Sequence, residues 1–148
     1  MYRSDGYANR VKGYIDQLNI EFDRELAMKS VLAVLAGYLV FGISAIILFQ
    51  IADVDPRQEP AIGFRLWSTV YGVFFALLSG YVAARLAGKK EIAHASAVAC
   101  ILAVIATISL VAQPGHGSLW SQIAALGFMT PAAILGGVVR AQQVKSKR

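Results

Sequence analysis

Charged residues are missing from most of the final third of this sequence. No Asp, Glu, Lys or Arg occurs between Ile92 and Val139, a stretch of 48 residues. As one helix it would be about 72 Å long at 1.5 Å per residue, more than twice the ~30 Å hydrocarbon core of a bilayer. It must therefore fold back. The segment from Gln113 to Ser118, which contains Pro114 and two glycines, predicts the turn between two membrane-spanning helices.

Cysteine and histidine are also scarce, which limits disulfide, metal and catalytic chemistry. Cys100 is the single cysteine, so no internal disulfide can form. His94 and His116 lie at opposite ends of the third predicted helix, about 33 Å apart along its axis, so they cannot share a metal ion. No nucleophile, base and orienting carboxylate occur together in a catalytic pattern. We expect no enzyme activity, no cofactor and no metal site.

Four segments have the length and composition of membrane-spanning helices. They cover residues 30–52, 66–87, 92–112 and 119–139, and each contains at least 19 consecutive uncharged residues. Hydrophobic residues make up 57% of the chain and charged residues only 16%, against about 25% charged in soluble proteins. The runs lack the period-two alternation of a membrane barrel. The predicted fold class is all-α, a four-helix transmembrane bundle.

The distribution of Lys and Arg predicts the orientation of these helices. Four crossings place twelve basic residues on the side of both chain termini and two, Arg57 and Arg65, on the other side. The positive-inside rule then predicts cytoplasmic termini in a cell inner membrane. The basic side is expected to contact anionic lipid headgroups, and no motif favours nucleic acid. The residues assigned to headgroup contact are Arg85, Lys89, Lys90, Arg140 and Lys145. The last two belong to a basic cytoplasmic tail, residues 140–148.

An amphipathic helix is predicted for the cytoplasmic segment 1–29. Apolar side chains recur there at helical spacing, with charged residues of both signs between them. The apolar set is Tyr7, Val11, Tyr14, Ile15, Leu18, Phe22 and Leu26. Two interpretations stay open: a helix that lies on the membrane as an extension of the first span, and a docking surface for a partner protein.

The second predicted span carries a strip of small residues at four-residue spacing, composed of Gly72, Ala76, Gly80, Ala84 and Gly88. Small side chains on one helix face let another backbone approach closely, so the strip predicts a helix-packing surface. In the fourth span, Pro131 removes a backbone hydrogen bond and predicts a kink, and Thr130 is placed to bond a freed carbonyl group.

The junction between the second and third predicted spans resembles part of a known protein family. The sequence from Gly80 to Ala95, GYVAARLAGKKEIAHA, resembles the central region of a family of small four-span bacterial membrane proteins. In that family a Gly/Ala-rich helix ends in a basic glycine turn and is followed by a His-Ala pair. The resemblance implies four helices and a bacterial source. It implies no activity.

Function is predicted by elimination. No ionisable side chain lies deep in any predicted span, whereas transporters driven by protons or charged substrates usually keep one there. We expect a non-catalytic accessory or scaffold subunit of a larger membrane protein complex, with other membrane subunits as partners. One alternative is a self-associating transporter or pore for a small neutral solute. Another is a subunit that holds a pigment or haem through His94 or His116.

Overall fold

The fold is all-α and is built from four helical segments. The computed structural model describes residues 5–53, 61–112 and 119–147, with the side chains of residues 5–9 and 11 excepted. Helix α1 spans Asp5–Ala52, α2 spans Ile62–Ala87 and α3 spans Glu91–Ala112. The fourth helical segment consists of α4 (Leu119–Ala124), a π-helix (Ala125–Met129) and α5 (Thr130–Lys145). All four segments are long and apolar enough to cross a membrane.

Consecutive helical segments run in opposite directions. The Tyr71 hydroxyl on α2 bonds the Ser44 carbonyl on α1, while Gly37 lies against Ser79, so α1 and α2 are antiparallel. The second and fourth segments run parallel to each other: Gly72 lies against Met129, and the Tyr81 hydroxyl bonds Gln143. Both ends of the described chain and the α2–α3 turn are therefore at one end of the bundle, called here the terminal end. The opposite end is called the distal end.

Small side chains dominate the core, which allows the helices to approach closely. The fully buried residues are mostly Ala and Gly, and Val98 and Ser79 are the largest of them. Two glycines outside the predicted strip act in the same way. A Cβ atom at Gly37 on α1 would lie only 2.7 Å from the Ser79 carbonyl oxygen, and Gly137 on α5 lies against Ala95 of α3. In a membrane, where no hydrophobic effect drives helices together, such close packing supplies the attraction.

Helix α1 continues without interruption from the amphipathic segment into the first predicted span. Between Leu26 and Val34 there is no Pro, Gly/Ser pair or π-bulge, and the helix is unbroken although the Ser30 hydroxyl donates to the Leu26 carbonyl oxygen. Every side chain from Lys12 to Glu25 is exposed, so this part of α1 packs against nothing in the described chain. The residues Asp5–Lys29 therefore form an extension beyond the bundle, called here the α1 extension. Its predicted position in the membrane interface stays a prediction.

Candidate functional site

The strip of small residues on α2 forms the tightest helix contact in the described chain. Gly72, Ala76, Gly80 and Ala84 are buried. At Gly80 a Cβ atom would overlap the Ala133 carbonyl oxygen of α5. The opposing glycine on α5 is Gly136. A Cβ there would overlap the Leu77 carbonyl oxygen and lie 2.7 Å from the Tyr81 nitrogen. The close contact called here the α2–α5 seam therefore depends on glycine in both helices.

Gly88, the last member of the predicted strip, has a different role. It is exposed at the C-terminal cap of α2 with φ of 65°, in the left-handed region that glycine adopts without steric cost. Lys90, which follows in the same turn, also has a positive φ of 51°. Gly88 thus ends the helix and reverses the chain.

Pro131 follows a local change in helical geometry. The five residues before Thr130 form a π-helix, in which the Thr130 N–H group bonds the Ala125 carbonyl oxygen. The Thr130 hydroxyl donates a second hydrogen bond to the same oxygen at 3.0 Å. Since π-turns inside α-helices are frequent at functional sites, this segment marks the distal half of the fourth segment as a region of interest.

Two adjoining cavities open between α1 and the fourth helical segment in the distal half of the bundle. Helix α1 packs against α2 and α3, but its backbone does not approach the fourth segment in the described part of the chain. One cavity, of about 200 Å³, is completed by α2, and the other, of about 290 Å³, by α3. Together they are called here the distal cleft. Five residues border both cavities: Phe41, Ala45, Ser121, Ala125 and Met129.

The walls of the distal cleft are mostly apolar, with a few hydrogen-bonded polar groups. The indole N–H group of Trp120 donates to the Thr69 hydroxyl at 3.1 Å, and the Tyr71 hydroxyl donates to the Ser44 carbonyl oxygen at 3.1 Å. Among the described residues, no Asp, Glu, Lys, Arg or His borders either cavity. The cleft is therefore suited to neutral molecules.

Gln122 is the polar residue of the cleft that sequence reasoning missed. It borders the larger cavity and is 7% exposed. Its amide nitrogen donates to the Ser109 hydroxyl on α3 at 3.2 Å, while its amide oxygen is buried and has no partner. A search for charged residues passes over it because an amide is neutral. A search for any amide within a predicted span would have found it.

The two histidines are not brought together. His94 lies one turn into α3, where its Nδ1 atom is 3.0 Å from the Lys90 carbonyl oxygen, and it borders a shallow apolar groove between α1 and α3. His116 lies outside the described residues. Cys100 is exposed on α3. Within the described ranges, no three His, Cys, Asp or Glu side chains are close enough to hold a metal ion.

The five basic residues assigned to lipid headgroups lie at the terminal end of the bundle. Four of them are exposed, namely Arg85, Lys89, Lys90 and Lys145. Arg140 is half-buried on α5, and its Nε atom is buried without a hydrogen-bond partner. Their common location fits contact with an anionic surface, which stays a prediction.

Comparisons with known proteins identify no relative. No family model, curated protein or solved structure matches this chain.

Proposed function

We propose that this protein is a non-catalytic accessory subunit of a membrane protein complex. In this proposal the four-helix bundle is the membrane anchor and the α1 extension binds a partner protein. The observation that carries the proposal is the extension itself, a regular helix with apolar side chains that nothing in the described chain covers.

Most apolar side chains of the extension lie on one side of the helix, and Ile20 is an exception. Tyr14, Ile15, Leu18 and Phe22 recur at spacings of three and four residues, and each is about half exposed or more. A helix that is amphipathic and has no intramolecular partner is normally stabilised by packing against another surface. The extension therefore has the properties of a helix that binds in a groove or beside another helix.

The charge of the extension favours a protein over a lipid surface. Between Lys12 and Lys29 there are four acidic and three basic residues. Helices that lie on anionic membranes are rich in Lys and Arg, and each basic residue near the surface contributes about 1 kcal/mol. This segment would gain little from such a surface. The unbroken helix through residues 26–34 also supports an extension that leads away from the hydrocarbon region.

The alternatives have less support. The distal cleft lies in one half of the bundle, so it does not by itself form a path across the membrane for a small neutral solute. The described surroundings of His94 are a shallow groove with one backbone hydrogen bond, which offers little enclosure for a haem or pigment.

Site-specific photo-crosslinking in intact cells tests the proposal. A photoreactive amino acid is placed at Leu18, on the apolar side, and as a matched control at Ile20, an exposed apolar residue on the opposite side of the helix. We expect a crosslink from position 18, and none from position 20, to a membrane protein that also copurifies under gentle solubilisation. Crosslinks to lipid alone, or to a second copy of this chain alone, would contradict the proposal.

A further inference from the structure

We propose that the distal cleft binds a neutral long-chain alcohol from the membrane, such as an acylglycerol. The hydroxyl group pairs with the Gln122 amide, and the chain lies along the apolar wall towards Met129. This inference is independent of the α1 extension and of any partner protein.

The buried amide of Gln122 supplies the polar recognition element. A carboxamide has two acceptor lone pairs and two N–H donors, yet Gln122 makes one hydrogen bond, to Ser109. The amide oxygen of Gln122 is buried without a partner, so the hydration that it loses on burial is not replaced. Rotation about the last side-chain torsion, which has broad energy wells, can turn the oxygen towards the larger cavity that Gln122 borders, and it moves the N–H group away from Ser109. A ligand hydroxyl that bonds both the oxygen and Ser109 replaces the bond that this rotation breaks.

A hydroxyl group is the best complement to this amide. A hydroxyl both donates and accepts, so it can pair with the carbonyl oxygen of Gln122 and with a serine in the same cavity wall. Ser109 borders this cavity. A charged head is disfavoured because no described side chain that borders the cleft carries an opposite charge.

The arrangement of the cleft along the bundle favours a ligand with a chain. Gln122 is three residues from the start of α4, about 5 Å along the axis, and therefore near the predicted membrane surface. Met129, which borders the same cavity, is about 10 Å deeper. A polar group at the surface and an apolar wall below it match an amphiphile aligned with the lipid chains. The cavity of about 290 Å³ is roughly twice the size of one that holds benzene.

Quenching of Trp120 fluorescence tests this inference, since Trp120 borders the cleft. The experiment uses the full chain in lipid nanodiscs with Trp67→Phe, which removes the exposed second tryptophan. The probes are a fatty alcohol that carries bromine near its hydroxyl end and the bromoalkane of the same chain length without the hydroxyl group, which forms no hydrogen bond with the amide. We expect saturable quenching by the alcohol, with a half-saturation concentration that rises about tenfold in Gln122→Leu, as for loss of one hydrogen bond.

Two comparisons separate recognition by Gln122 from partition into the lipid. Gln50→Leu, the same substitution at an exposed residue near the distal end of α1, should leave quenching by the alcohol unchanged. The bromoalkane should quench the parent protein and Gln122→Leu equally. Equal quenching by the alcohol in the parent and in Gln122→Leu would overturn the inference. So would a loss of bromoalkane quenching in Gln122→Leu as large as the loss for the alcohol.

Discussion

Substitution of Gly80 by alanine tests whether the α2–α5 seam holds the bundle together. The new Cβ atom would overlap the Ala133 carbonyl oxygen and lie 2.7 Å from its carbonyl carbon, whereas ordinary contact begins at about 3.4 Å. The obstacle is backbone, which cannot rotate away as a side chain can. The carbonyl carbon alone would require the two helices to separate by about 0.7 Å at this point, and the oxygen, which lies nearer, requires more.

The cost of this separation follows from two opposing effects. Alanine in place of glycine inside a helix stabilises by about 0.5–1 kcal/mol. Overfilling of a close-packed contact costs about 1–3 kcal/mol, and the upper part of this range applies where backbone meets backbone. We therefore expect Gly80→Ala to lose about 1–2 kcal/mol of stability, and Gly80→Leu to lose more.

Thermal unfolding of the detergent-solubilised protein measures this effect. The matched control is Gly42→Ala, because Gly42 also lies within an apolar helix but has no atom within 4 Å of its Cβ position. The control should be as stable as the parent protein or slightly more stable. If Gly80→Ala behaved like Gly42→Ala, the seam would not exist in the folded protein and the packing argument would be wrong.

Three other substitutions test separate contacts by the same measurement. Tyr71→Phe removes the hydrogen bond to the Ser44 carbonyl group and should cost about 0.6 kcal/mol, the average for hydrogen bonds between membrane helices. Gly88→Ala places a Cβ atom in the left-handed region and should cost about 1 kcal/mol, although the surrounding space is open. Thr69→Val leaves the Trp120 indole N–H group without its acceptor, which should cost about 1 kcal/mol and shift the emission of Trp120.

Each of these substitutions has a control of the same chemical type. Tyr38→Phe should have no effect, because the Tyr38 hydroxyl makes no hydrogen bond to any residue that the structure describes. Gly63→Ala lies in a helix with open space around it and should not destabilise. Thr107→Val removes a hydroxyl that bonds only a carbonyl group of its own helix. A control that loses as much stability as its partner would show that the named contact is not the cause.

The helical architecture could be predicted because charge and length alone determine it. The uncharged stretch from Ile92 to Val139 exceeds twice the thickness of a bilayer, so a reversal was required, and the structure has separate helices on either side of residues 113–118. The length of α1 could not be predicted in the same way. The amphipathic segment and the apolar first span are suited to different environments, but both favour a helical backbone. The sequence therefore has no signal that would end the helix between them.

Contacts between helices were only partly predictable. Four-residue spacing identified the buried face of α2 from Gly72 to Ala84 but could not identify its partner, because small residues recur in the other spans as well. The partner is the face of α5 that carries Ala133 and Gly136.

Gln122 was missed for a related reason. The importance of Gln122 depends on what surrounds its amide. That amide becomes buried only when α1, α3 and α4 pack together, so the sequence alone does not show it.

The seam and the cleft are connected by the geometry of packing. Glycine at positions 80 and 136 brings the fourth segment close to α2 through their backbones. Helix α1 packs against a different face of α2 through Gly37, which lies against Ser79, and its backbone does not approach the fourth segment in the described residues. Towards the distal end the side chains grow larger, with Phe41, Trp120 and Met129 lining the gap, and a space remains there that these side chains do not fill. A protein interior is normally packed to the density of an organic crystal. The distal cleft, in contrast, opens to the surface of the bundle, so a molecule from the surroundings can enter it and reach the buried, incompletely bonded amide of Gln122.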